Sequence, residues 1–250
     1  MNSLLTRASL FICCLLVLVC ASAKAQKKPK ELIKNAFLSS IELDGIAKEW
    51  DQNQFATDKV SGISYAFANN DSTLFLILKT ANKESIAKMI HWGLSLGFNA
   101  IGQKKVQESI GFPAGKAQDK RYDPVLGRTK RPSIKEEVAQ LNSIELRGFT
   151  SLIDGPIALK NDFGIRASAQ LNVAEELVCE YALPMKLLQI DPSKNDIFAC
   201  QIKVNGLVLG ANPTAVSRNI GLRGTPSGPM QTNSLLDSTN FWVLYPLASK

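Results

Sequence analysis

Histidine is nearly absent: His91 is the only one in 250 residues. A histidine-based triad would have to use it, and it sits beside an apolar, helix-like turn with no obvious partner. The chain has no H-E-x-x-H, no C-x-x-C, no G-x-S-x-G and no phosphate-cradling glycine loop. Each of those patterns carries a specific chemistry, so several common enzyme classes lose their signature here. Met89 and His91, two residues apart, cannot reach opposite faces of one haem. Acidic residues are scattered singly on turns and polar faces, and the paired carboxylates of a glycosidase would have to come from distant segments. The expectation is a protein that is not an enzyme and has no cofactor and no metal.

Cysteine is also scarce once the N-terminus is set aside. Cys13, Cys14 and Cys20 lie in a segment that starts with Arg7, continues through an apolar run at residues 10–19 and ends in Ala21-Ser22-Ala23-Lys24-Ala25. That order of charged, apolar and small residues is a secretory signal over residues 1–25, with cleavage after Ala25. A rival reading acylates Cys20, although Val19 fits poorly before such a cysteine. The run is too short to stay across a bilayer, and no other segment approaches a stable membrane span. The expected location is secreted, periplasmic or cell-envelope associated. Such a compartment permits a bridge between the remaining pair, Cys179 and Cys200, both inside strand-like apolar segments. The alternative is two buried free thiols acting as small hydrophobes. Both remain open at this point.

Charge is modestly one-sided. Loss of Arg7 and Lys24 with the signal leaves 27 basic against 22 acidic residues, so the net charge falls from +7 to +5. The basic residues gather at 27–30 and 116–131 rather than along one helix. Such clusters can attract polyanions, but in a tail or loop they are usually solvated. No nucleic-acid partner is expected.

What the chain does have is strand signal. Residues 60–68 and 72–79 flank Asn69-Asn70-Asp71, three residues that tolerate turns, so the pair predicts a hairpin. Further strands are expected at 94–100, 106–112, 143–148, 163–173, 177–183, 196–209 and 241–245, and β signal starts near Ser39. Helical signals are short. Asn82 can cap a turn or two through His91, and Ser133-x-x-Glu136 is a capping box. Pro184 suits the first position of a brief helix through Leu188. Two irregular stretches, 114–132 and 221–240, are functional loops or disordered insertions. No internal repeat is visible. The pattern predicts an all-β, antiparallel sandwich or barrel over residues 39–250, after a flexible lead-in at 26–38.

Three tryptophans are the landmarks. Flat indole faces are what sugar rings stack against, although a Trp more often fills a core. Trp50, after an acidic helix-like step, and Trp242, within an apolar terminal strand, are expected in the core. Trp92, between His91 and Gly93, is expected to be at least partly exposed and is the one candidate ligand-binding residue.

Ile41-Glu42-Leu43-Asp44-Gly45 with Glu49-Trp50 resembles the opening of the family 9 carbohydrate-binding module. The order of later segments agrees: the hairpin over 66–79, His91-Trp92 leading into a strand, and Cys179-Glu180-Tyr181-Ala182-Leu183-Pro184 followed by a return strand. The final loop, from Thr232-Asn233-Ser234 to Phe241, agrees too, so the likeness runs from about Ser39 to Leu247. This DOMON-like family implies an antiparallel β-sandwich with a few short helices. It also implies sugar-chain ends held between two tryptophans, and structural calcium in some members. Trp92 matches the first tryptophan; Leu235 stands near the second. Gly93-Leu94-Ser95 replace the acidic and amide residues that follow the first, so the sugar site is degraded. Asp44 and Asp51 are oxygen donors on turns, too common to assign to calcium. The resemblance implies a non-catalytic protein binding a glycan or glycoconjugate. The rival is a structural or partner-binding envelope protein that kept the sandwich and lost the sugar site.

Overall fold

The computed structural model describes residues 32–115, 132–194, 196–206 and 237–249. The expected signal segment, the basic cluster at 116–131 and most of the irregular stretch before residue 237 lie outside the described residues, as does Leu235.

The asparagine-rich turn closes the expected hairpin. β2 (Ile63–Asn69) returns as β3 (Thr73–Thr80), with Asn70 Oδ1 accepting from the backbone of Ser72 and Thr73. The other strands are β1 (Ala56–Asp58), β4 (Leu94–Asn99), β5 (Glu108–Gly111), β6 (Ser143–Arg147) and β7 (Gly155–Ala158). They continue with β8 (Arg166–Leu171), β9 (Leu177–Pro184), β10 (Ile197–Val204) and β11 (Thr239–Pro246). They form two antiparallel sheets, ordered β1-β2-β3-β9-β8 and β11-β10-β4-β5-β6-β7. Period-2 alternation turns one set of side chains from each sheet into a shared core. Phe67 of the first sheet thus meets Phe198 and Tyr245 of the second, at ring-centroid distances of 6.1 and 5.5 Å. The protein is an antiparallel β-sandwich.

β3 and β9 read as nearly unbroken apolar runs because their sheet is covered on both faces. Leu74, Leu76, Leu78, Cys179 and Tyr181 face the sandwich core. Phe75, Ile77, Val178 and Ala182 face outward, beneath Ile41 and Trp50. The segment carrying Ile41 was expected to be a strand. It instead crosses the outer face as an irregular strap ending in two short turns of 3-10 helix, Ala47–Glu49 and Gln52–Gln54. Its apolar residues are satisfied by the sheet face, so it needs no ladder. Further upstream, Leu32 bridges Leu244 and Phe37 bridges Asn69, which docks the described part of the lead-in.

Two helices lie among the described residues: α1 (Lys83–Trp92) and α2 (Ile134–Ala139). Both expected caps form. Asn82 accepts from Ser85 N–H at 3.0 Å, and Ser133 and Glu136 complete the capping box. After Pro184 there is no helix but a chain of turns, with Leu187 N–H donating to Pro184 O and Leu188 N–H to Met185 O. Pro184 is the last residue of β9, so its backbone belongs to the ladder rather than to a helix. β1 and β7 had no expectation; each is short and on a sheet edge. Among the described residues, no helix is long and apolar enough to cross a membrane.

Candidate functional site

Trp92 is the last residue of α1 and leads through Gly93 into β4, as its expected place before a strand implies. The helix forms because Ile86, Met89 and Ile90 share a buried face, and it stops at Gly93, whose φ is 88°. A Cβ at Gly93 would lie 3.0 Å from the backbone of Pro113 and Ala114, so glycine is required by both dihedral and space. Trp92 is thereby held at one end of the sandwich. Its carbonyl accepts from Asn205 Nδ2 at 3.1 Å, and the same amide reaches Ser95 Oγ at 3.3 Å. The indole is half-buried and meets the His91 ring edge-on, with centroids 6.2 Å apart. His91 Nδ1 lies 3.7 Å from a carboxylate oxygen of Glu137, a buried residue of α2.

The other tryptophans divide. Trp50 is 3% exposed, as expected of a core residue. Trp242 was expected in the core and is only half-buried. It alternates with Val243 and Tyr245, which take the inward positions on β11, so the indole falls on the outer face of its sheet beside Gln201.

Trp50 belongs to a polar cluster that the sequence did not reveal. Its Nε1–H donates to Glu180 Oε1 at 3.3 Å, and Gly45 N–H donates to Glu180 Oε2 at 2.8 Å. Glu180 sits on the outward face of β9, fully buried beneath the strap. Its carboxyl is pushed up to about 7: burial, with the charges of Asp44 and Glu49, outweighs the pull of the two donors. A lone Glu in the apolar run 177–183 was the available signal, because a carboxylate there must find partners.

Both turn aspartates have local partners. Asp44 accepts from Ile46 N–H and pairs with Lys48 at 3.2 Å; Asp51 accepts from Asn53 N–H at 2.9 Å. Among the described residues, no group of three or more His, Cys, Asp and Glu side chains is placed to hold a metal ion. Cys179 and Cys200 sit on β9 and β10, in opposite sheets. Both are buried free thiols, so the bridge is absent and the small-hydrophobe reading stands. Burial pushes the Cys179 thiol up to about 12 and raises that of Cys200 as well.

Clefts open elsewhere. One of about 640 Å³ includes Lys83, Ile134, Lys135 and Val173, and one of about 380 Å³ runs between α2 and β8. A third, of about 480 Å³, includes Asp71, Lys186 and Asp191. Trp92 lines none of these three. No family model matches the chain, and no curated protein matches it.

Proposed function

We propose that this chain is an exported, non-catalytic binding protein similar to the family 9 carbohydrate-binding modules, taking a glycan or glycoconjugate against Trp92. The observation that carries the reading is the contrast between Trp50 and Trp92. Trp50 is sealed beneath the strap, with its indole N–H spent on Glu180. Trp92 is held through its backbone carbonyl at the end of a helix and is only half-buried. A partly exposed indole offers a stacking face. His91, whose ring meets the indole edge-on, and Asn205, whose amide donates to the Trp92 carbonyl, are polar residues beside Trp92 that would complete such a site.

The competing reading, a sandwich that docks an envelope protein, draws on the clefts, which lie along α2 and β8 rather than at Trp92. A glycan array on the mature protein, followed by titration of its best ligand, separates the two. Trp92→Ala should weaken glycan binding by about 1–3 kcal/mol, the range for loss of one aromatic stacking face. An array without ligands, or affinity indifferent to Trp92→Ala, would end the glycan reading.

A further inference from the structure

The strap has two anchored ends and a middle that joins no ladder. At one end Leu38 N–H donates to Asn69 O and Asn70 Nδ2 to Ser39 O; at the other, β1 pairs with β2 from Ala56 onward. Between them the backbone bonds of residues 41–55 are local, such as Trp50 N–H to Ala47 O and Gln54 N–H to Asp51 O. Among the described residues, polar contacts tie this middle to the sheet at two places. One is Lys79, whose Nζ donates to Gln52 Oε1 at 3.3 Å and lies 4.1 Å from the centre of the Phe55 ring. The other is Glu180. It stands between the outward-facing Val178 and Ala182, opposite Ile77 of β3 and Ser168 of β8. Both of its donors, Gly45 N–H and Trp50 Nε1–H, belong to the strap.

Charge around Glu180 is one-sided. Asp44 and Glu49 act on it from the strap, and Glu49 Oε2 is buried without a hydrogen-bond partner. The cation beside them, Lys48, is already shared by Glu42, Asp44 and Glu49 at 2.6, 3.2 and 3.8 Å. On β3 the cation is Lys79, engaged by Gln52 and Phe55; on β8 it is Arg166, two residues before Ser168. The outward residues of β2 (Ser64, Ala66, Ala68) and of β9 (Val178, Ala182) are uncharged. Among the described residues no cation pairs with Glu180. Once ionised it is a buried carboxylate with two donors and no counter-ion, which is costly. The sheet closes it from below, so water reaches it only when the strap lifts.

We propose that the strap is a pH-responsive cover: ionisation of Glu180 loosens residues 41–55 while the two sheets stay packed, and uncovers the apolar face of Phe75, Ile77, Val178 and Ala182. Beneath the closed strap the Glu180 carboxyl is pushed up to about 7, and in water it returns to its ordinary value near 4.5. Closure is therefore strongest in acid and weakens as pH rises through about 7. Ile41 and Trp50 keep the closed form dominant throughout, so what changes is how often the strap opens. The inference does not depend on a ligand at Trp92.

The test is hydrogen exchange of the mature protein, read by NMR and divided by the intrinsic rate at each pH. The Gly45 amide and the Trp50 indole N–H, both bonded to Glu180, are the reporters. Their opening should be about 70-fold more frequent at pH 8 than at pH 5, the ratio set by the two values for Glu180. At both pH values they should exchange at least about 10-fold faster than amides of β4 and β10, which open only with the whole fold. Glu180→Gln should abolish the pH response. Glu49→Gln, at a partly exposed position outside any ladder, should shrink it by removing a repelling charge, and this variant decides the matter if Glu180→Gln does not fold. The inference is overturned if the reporters are indifferent to pH, or if either variant keeps the full response. It is equally overturned if the reporters are as slow as β4 and β10, because the strap would then open only by global unfolding.

Discussion

At the scale of single residues, the strap is held by a carboxylate whose ionisation works against it. Glu180 ionises near 4.5 in an unfolded chain and is pushed up to about 7 in the fold. Between those values the folded state holds a proton that the unfolded chain has lost, so rising pH destabilises the fold. The contribution is fully present below about pH 4.5 and is lost as pH rises through about 7, amounting to on the order of 3 kcal/mol. Chemical denaturation from pH 4.5 to 8 should show this fall, and Glu180→Gln should flatten it. An unchanged slope in the variant would mean that another group titrates. The tryptophans give a second residue-scale prediction. Trp50→Ala removes a buried indole and strands a buried carboxylate, so it should cost about 3–5 kcal/mol. Trp92→Ala should melt close to the parent, because its side chain is only half-buried. Equal losses in the two melts would place Trp92 in the core and remove the glycan reading's one named contact.

At the scale of elements, the strap shows how far a local signal reaches. Asp44-Gly45 reads as a turn from sequence, and a turn it is: Gly45 has a φ of 72°. Where the turn lands was not legible, because Glu180 lies 135 residues later. A Cβ at Gly45 would sit 2.5 Å from Cβ of Gln170 on β8, in a backbone conformation that L-residues avoid. Gly45→Ala should therefore cost about 2–4 kcal/mol, from strain and overpacking together. Proteolysis would be expected to cut the variant first within residues 36–55, and a cut pattern identical to the parent's would argue that the strap adapts. The helix caps and most strands were legible because capping boxes, Asn-rich turns and period-2 alternation are written within about ten residues of sequence. The strap and the Pro184 turn were misread for the opposite reason. An apolar stretch looks alike whether it joins a ladder or lies across a sheet, and only its neighbours decide.

At the scale of the whole molecule, two stacked sheets bury both thiols without joining them. Cys179 and Cys200 should resist a thiol reagent such as dithionitrobenzoate in the native state and react together on global unfolding, at the rate of unfolding. Fast labelling of either under native conditions would contradict their burial. The amino-acid sequence by itself determined that this is a β protein: its turns, its caps and the alternation along β2, β4 and β10 depend on adjacent residues and on the pleat. It determined the near absence of histidine as well. The tertiary structure decided what faces what, because pairing such as Leu76 with Tyr181 joins residues far apart in the chain. From that pairing come the two-sided burial of β3 and β9, the sealing of Glu180 under Trp50 and the placing of Trp242 outside the core. The position of β8 at a sheet edge has the same origin. An edge is a property of strand order, and strand order is fixed by which faces bury the most apolar surface when all the strands compete at once.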